Sequence, residues 1–259
     1  MTAQETAEAI APLAFHDGPC GLRLAHRFVA GAEPALVFLP GYMSDMAGSK
    51  AEAVLAHAAA QGRACLLLDY SGCGRSEGDF AEGTLSRWRD EVVHLIAGKG
   101  IARAILCGSS MGGWLMLLVA RAMPEAIAAL VGVAAAPDFT DWGFDDEAKA
   151  ALAAGRTVFE DNPYGPAPTP THAAFWRDGE AQRQLTGEIP FDGPVRLLHG
   201  QADPDVPWEV SLRLAAALRS ADVQVHLIKD GDHRLSRGAD IALLLRTLDA
   251  LVGTLPGGG

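Results

Sequence analysis

The stretch Ala104-Ile-Leu-Cys-Gly-Ser-Ser-Met-Gly-Gly-Trp-Leu-Met116 sets the reading of this chain. Its first four residues are uninterruptedly apolar, as in a strand buried on both faces. Gly108-Ser-Ser-Met-Gly112 follows with the spacing G-x-S-x-G, and Gly113-Trp-Leu-Met116 opens a helical pattern. A strand, a sharp turn and a helix with serine at the centre lift a hydroxyl above the end of a sheet. Ser110 holds the central position and Ser109 does not. Small residues two before and two after the serine let strand and helix approach closely. A glycine-rich turn that merely contains a serine has the same local look, so the chain must also supply the partners of a nucleophile.

A serine hydroxyl alone is a weak nucleophile near neutral pH; it needs a base, and the base needs an orienting acid. Both are expected after the serine, each beyond the C-terminal end of a strand. After the strand-like run 195–198 comes His199-Gly-Gln-Ala-Asp-Pro-Asp-Val-Pro207. Its H-G-x-x-D-x-x-V-P spacing favours Asp203 over Asp205 as the acid, although Asp203 could also cap a helix starting near Trp208. After the run 223–228 comes Lys229-Asp-Gly-Asp-His-Arg234, which puts His233 in a short polar loop before the last helix. His57 and His94 fall on helical patterns, His226 falls within a strand, and His199 reads as support for the strand end. The expected roles are Ser110 as nucleophile, His233 as base and Asp203 as acid. An oxyanion would need two donors: the backbone N–H of Met111, and that of Tyr42 in the loop Pro40-Gly-Tyr-Met-Ser-Asp45.

The remaining sequence supplies the scaffold. Continuous apolar runs at 35–39, 64–68 and 128–133, and the strand-like runs 195–198 and 223–228, which carry Arg196, Gln224 and His226 among apolar residues, alternate with helical patterns. One such pattern covers 84–96, with Leu85, Trp88, Val92, Leu95 and Ile96 on one face; another places Ile241, Leu244, Leu245, Leu248 and Leu251 together. This alternation predicts an α/β chain with a mostly parallel central sheet and helices on both faces. Leu22, Leu24 and His26 alternate with Arg23, Ala25 and Arg27, which predicts a half-exposed strand in a hairpin with residues 13–15. Residues from about 138 to 190 break the rhythm. They are rich in Pro, Gly and Asp and carry Phe139, Trp142, Phe144, Phe159, Tyr164, Phe175 and Trp176. The expectation is an inserted cap on a single domain, with Ser44, Trp142, Phe144, Phe175 and Trp176 as substrate contacts. Such aromatics also serve as a small core of the cap itself.

The formal net charge of −11 over 259 residues disfavours a nucleic-acid partner. No apolar stretch is long enough to span a bilayer. Residues 1–8 are acidic at Glu5 and Glu8, with no basic or apolar leader, so the expected location is cytoplasmic. Cys20, Cys65, Cys73 and Cys107 show no C-x-x-C spacing and read as free thiols. No metal or other cofactor is expected.

The chain resembles the α/β-hydrolase superfamily over nearly its whole length. Leu39-Pro-Gly-Tyr-Met-Ser-Asp45, Asp69-Tyr-Ser-Gly-Cys-Gly-Arg-Ser76, Arg87-Trp-Arg89, Gly108-Ser-Ser-Met-Gly-Gly-Trp-Leu-Met116, Arg196-Leu-Leu-His-Gly200 and Asp232-His-Arg234 look like one branch, the α/β hydrolase domain-containing protein 10 group. That group consists of mitochondrial palmitoyl-protein thioesterases that also cleave acyl glucuronides. The resemblance implies an α/β-hydrolase fold, the triad Ser110, Asp203 and His233, and an acyl-directed pocket for a small-molecule or acylated-protein substrate. Asp69 to Ser76 is expected to be a structural turn. A general carboxylesterase of small or aryl esters is the alternative, and a non-catalytic ligand-binding protein on the same fold is a third reading. Haloalkane dehalogenases and epoxide hydrolases are disfavoured, because they carry aspartate where this chain has Ser110.

Overall fold

A computed structural model describes residues 3–162 and 165–255. Tyr164 and the Gly257–Gly259 end lie outside the described residues. The strands are β1 (Ala14–Asp17), β2 (Arg23–Val29), β3 (Ala32–Leu39), β4 (Arg63–Leu68), β5 (Ala104–Ser109), β6 (Ile127–Val133), β7 (Val158–Glu160), β8 (Thr169–Thr171), β9 (Val195–Gly200) and β10 (Val223–Ile228). The helices are α1 (Ala3–Ile10), α2 (Ser49–Ala60), α3 (Leu85–Gly98), α4 (Met111–Ala122), α5 (Phe139–Trp142), α6 (Asp146–Ala153), α7 (Ala173–Ala181), α8 (Glu209–Ala217) and α9 (Gly238–Thr254).

Eight strands form one sheet in the order β1-β2-β4-β3-β5-β6-β9-β10. Only β2 is reversed: it runs antiparallel to both β1 and β4, and every other neighbouring pair is parallel. The apolar runs have no polar alternation because both faces are covered. Ala35, Val37 and Leu39 of β3 pack into the core under α3 and α4, while Leu36 and Phe38 pack into the core under α2 and α9. Leu106 of β5 joins the first core, and Ile105 and Cys107 join the second.

Two strands differ from expectation. The N-terminal hairpin forms as expected, with Ala14 opposite His26, but β2 is buried rather than half-exposed over residues 24–27. The cause lies in the preceding segment. Arg27 ion-pairs with Glu8 of α1 and donates through Nη1 to Ala11 O at 2.6 Å, which brings that end of the chain over the strand. The run 223–228 reads as a doubly buried strand, yet β10 is only partly buried, because it is the edge strand with a single neighbour. Cys65, Cys73 and Cys107 are buried free thiols, and Cys20 is an exposed one.

Between β6 and β9 the chain leaves the sheet to form α5, α6, the β7–β8 hairpin and α7. Polar pins fix the root of this excursion. The buried Asp138, at φ 59°, accepts from Gln184 N and Leu185 N at 2.7 Å each, tying the segment's start to its end. Asp178 of α7 accepts from Ser86 N (2.7 Å) and Ser86 Oγ (2.6 Å) of α3. Phe175 lies 1 % exposed among Tyr42, Trp88 and Phe139, with ring centroids 4.8 to 5.7 Å away. Among the described residues no helix is long and apolar enough to cross a membrane.

Candidate active site

Because β3, β5, β6, β9 and β10 run parallel, their C-terminal ends share one edge, where open α/β sheets place their ligands. The turn after β5 carries Ser110 at φ 54°, ψ −120°, a backbone region that side-chain-bearing residues rarely adopt. Neighbouring chain holds it there. Ser110 N donates to Val133 O at 2.9 Å, and Ser110 O accepts from Gly113 N (2.8 Å) and Ala136 N (3.0 Å). The flanking glycines are steric necessities: a Cβ on Gly108 would sit 2.2 Å from Gly112 O, and one on Gly112 would sit 2.0 Å from Leu39 O.

The loops after β9 and β10 bring Asp203 and His233 to this serine. His233 Nε2 lies 3.1 Å from Ser110 Oγ, and His233 Nδ1 lies 2.9 Å from Asp203 Oδ2. A carboxylate can only accept, so Nδ1 carries the proton and Nε2 is left to accept from the serine hydroxyl. The Asp203 side chain is fully buried. Its Oδ1 accepts from Asp205 N and Val206 N at 2.9 Å each, and its Oδ2 also faces His199 Nε2 at 3.2 Å. Burial opposes its charge, but the hydrogen bonds from His199 and His233 outweigh that and hold the carboxyl well below the usual carboxylate range. Asp205 lies beside it in the exposed wall of the cleft. Asp203, Asp205 and His233 bring donor atoms within 4.8 Å of one another, a spacing a metal could use. The Asp203 oxygens, however, are already committed to four N–H groups.

The loop after β3 packs against the serine. A Cβ on Gly41 would lie 3.3 Å from both Ser109 O and Ser110 Cβ, so glycine lets the 41–42 backbone reach the nucleophile. Met111 N belongs to the first residue of α4, whose N–H has no intrahelical acceptor. Tyr42 is clamped by its side chain, which donates from Oη to Pro170 O at 2.9 Å. Asp69 fixes the rest of the loop: Oδ1 accepts from Met46 N at 2.7 Å, while Oδ2 accepts from Arg75 N at 2.8 Å. The Asp69 to Ser76 turn thus props the loop after β3.

A cleft of about 630 Å³ opens over the serine. Ser44, Trp142 and Phe144 line it together with Ser110, His233 and Tyr42. Phe175 and Trp176 do not, which corrects their expected role as substrate contacts. Phe175 fills the core beneath the excursion, and Trp176 donates its indole N–H to Thr140 O at 3.1 Å, so both stabilise that segment instead. Phe139, Met43 and Val206 also line the cleft. Sequence reasoning missed all three as contacts. In sequence Phe139 is only one more aromatic of the segment, and Met43 is only the neighbour of Tyr42. His199 also carries more than its expected role at the strand end, because it touches the acid directly.

Comparison with known proteins identifies the family and the fold. A family model described as "Alpha/beta hydrolase family" matches residues 36–243. The chain is 38% identical over 252 residues to "Palmitoyl-protein thioesterase ABHD10, mitochondrial" of Homo sapiens, covering 94% of this chain and 81% of that protein. Among solved structures, a putative hydrolase from Agrobacterium vitis S4 superposes with TM-score 0.86 at 36% identity, covering 93% of this chain and 99% of that one. Alpha/beta hydrolase domain-containing protein 10 from mouse gives TM-score 0.86 at 38% identity, covering 93% and 98%. These relatives correct the expected cytoplasmic location, because the human, orangutan and mouse proteins are all named mitochondrial. The acidic residues at 5 and 8 that suggested the cytoplasm describe local composition and do not determine compartment. With its sheet, its serine turn and its relatives in agreement, the chain belongs to the alpha/beta hydrolase family.

Proposed function

We propose that this hydrolase cleaves carboxylic ester or thioester bonds through an acyl-enzyme on Ser110. The observation that carries the reading is the unbroken hydrogen-bonded line from Ser110 Oγ through His233 to Asp203. His233 Nε2 takes the hydroxyl proton as Oγ attacks the acyl carbon. The backbone N–H groups of Tyr42 and Met111 receive the oxyanion, each worth on the order of 3 kcal/mol in the transition state. The intermediate then collapses, and His233 returns the proton to the departing alcohol or thiol. Water enters, gives its proton to His233 and attacks the acyl carbon; the acid leaves and Ser110 regains its proton.

Residues from about 138 to 190 act as a cap on a single hydrolase domain, and the cleft they cover takes the acyl group. The support is its lining by Phe139, Trp142 and Phe144, and its volume, which falls in the range of roughly 300–1,000 Å³ common to small-molecule sites. The relatives named palmitoyl-protein thioesterases favour a long acyl thioester, on an acylated protein or a small carrier, over small or aryl esters.

The test is kcat/KM on matched oxygen esters and thioesters of acetate, octanoate and palmitate, for the wild type and Ser110→Ala. The expected outcome is a preference for the long acyl thioester and a loss of roughly four to six orders of magnitude in kcat for the variant, which stays folded. A variant that keeps its activity overturns the assigned nucleophile. A wild type that prefers acetate or aryl esters leaves Ser110 in place and makes the enzyme a general carboxylesterase.

A further inference from the structure

Asp203 is approached by two imidazoles, and the proposed mechanism uses only one. The second, His199, sits at the end of β9 with a fully buried side chain. Its Nε2 lies 3.0 Å from Val206 O and 3.2 Å from Asp203 Oδ2, and its Nδ1 lies 2.7 Å from Ser211 Oγ in α8. Ser211 is itself buried.

These partners fix the state of the ring. Val206 O and Asp203 Oδ2 are both acceptors, so Nε2 must carry the hydrogen and share it between them. Ser211 Oγ can donate as well as accept, so a neutral ring takes the serine hydroxyl proton's hydrogen bond at Nδ1. Every polar atom of a buried histidine is then satisfied without adding a charge to the interior. A protonated His199 would place a second cation beside the carboxylate that must stabilise the His233 imidazolium.

We infer that His199, held by Ser211, is a positioning residue: its Nε2–H shares Asp203 Oδ2 with His233 Nδ1 and so fixes the orientation and basicity of the acid. The inference rests on the proposed triad. It extends the hydrogen-bonded line to Ser211–His199–Asp203–His233–Ser110. The ionisable groups around the shared oxygen are Asp203, His199, His233 and the outward Asp205. The two backbone N–H groups on Oδ1 hold one oxygen, and a single further donor on Oδ2 would leave the carboxylate free to rock about that hold. The His199 N–H supplies a second direction on Oδ2. It also draws charge away from the bond to His233, so losing it makes the carboxylate a stronger acceptor for the imidazolium.

The experiment compares wild type, His199→Leu, His199→Gln, Ser211→Ala and Ser110→Ala, with kcat/KM followed across pH on one activated ester. His199→Leu removes the donor, and a glutamine amide restores one toward Asp203. Leucine is expected to lose roughly 10- to 100-fold in kcat/KM, the usual effect of deleting a hydrogen bond to a charged group. The acid limb of its profile is expected to move to higher pH. Glutamine should recover most of the rate and bring the limb back, and Ser211→Ala should move the limb in the same direction as leucine by a smaller amount. A purely structural His199 predicts equal losses for leucine and glutamine with an unmoved limb, and that result overturns the inference. If leucine prevents folding, Ser211→Ala decides: a moved limb supports the inference, while a wild-type profile overturns it. Ser110→Ala separates the two levels. If it stays active, the triad reading fails; if it is dead while the His199 and Ser211 profiles match wild type, only the role of His199 fails.

Discussion

Replacing Asp203 with asparagine changes one oxygen to an amide and leaves the shape of the side chain intact. In the wild type each oxygen receives two N–H groups: Asp205 N and Val206 N on Oδ1, His233 Nδ1 and His199 Nε2 on Oδ2. Asparagine has one acceptor oxygen. If that oxygen faces the backbone pair, its NH₂ confronts both imidazoles; if it faces the imidazoles, the NH₂ confronts the backbone pair. Every orientation sets donors against donors. The simplest relief is for His233 to move its proton to Nε2, so that Nδ1 accepts from the amide. Nε2 then points a hydrogen at Ser110 Oγ and no longer serves as a base. The expected loss in kcat is on the order of 10⁴-fold, about 5 kcal/mol in the barrier. The assay is burst and steady-state hydrolysis of a p-nitrophenyl ester near neutral pH, paired with the rate of labelling by a fluorophosphonate. Asp205→Asn is the control and should change both rates little. An Asp203→Asn enzyme within tenfold of wild type, or an Asp205→Asn enzyme that is the slower of the two, contradicts the assignment of the acid.

Three further outcomes are expected. Gly112→Ala forces a methyl to within 2.0 Å of Leu39 O, where only backbone could yield; it should destabilise by about 1–3 kcal/mol or more, lowering Tm by several degrees in a thermal melt, and an unchanged Tm argues against the close packing of α4 on β3. His26 of β2 is 1% exposed, and burial, together with nearby Lys99, pushes its imidazole down to about 4 from 6.5. The folded value lies below the unfolded one, so stability is whole above pH 6.5 and falls as pH drops from there toward 4, by at most about 3 kcal/mol; urea melts at the two ends of that window should show His26→Phe with a shallower acid slope, and an identical slope rules the group out. Trp142→Ala and Phe144→Ala should weaken kcat/KM for long acyl chains while sparing acetate, whereas Phe175→Ala should lower the melting temperature, by the loss of about 3–5 kcal/mol typical of a buried phenylalanine, before it alters chain-length preference. A reversed pattern would mean that the cleft and core sides of the excursion have been exchanged.

The serine turn and the strands were legible in sequence because they are local. G-x-S-x-G after an apolar run needs only its neighbours to make sense, and the steric reason for each glycine is met within the same turn and the adjacent β3. Asp203 and His233 were legible by chain order and by their place after strand-like runs. The excursion was less so. Its aromatic density was plain, but whether a ring faces a cleft or a core depends on contacts far away in the chain. Phe175 is buried because Tyr42, Trp88 and Phe139 converge on it from three other segments. Likewise β2 looked half-exposed because its charged residues alternate; Arg27 is nevertheless buried, since Glu8 and Ala11 come from outside the strand to meet it. His199 could be placed at a strand end, but its contact with Asp203 depends on the fold of the following loop.

The Ser110 backbone is held in its unusual conformation by groups that arrive after it in the chain, Val133 O and Ala136 N from the end of β6 and the turn beyond. A nascent or partly unfolded chain that lacks this support has a serine but no raised hydroxyl, and the last member of the proposed triad comes from residue 233. On the proposed mechanism, hydrolytic competence is a property of the finished molecule: an unfinished chain would not acylate itself on its neighbours' esters, and the appearance of activity during refolding would time the docking of β6 and the closing of the loop after β10.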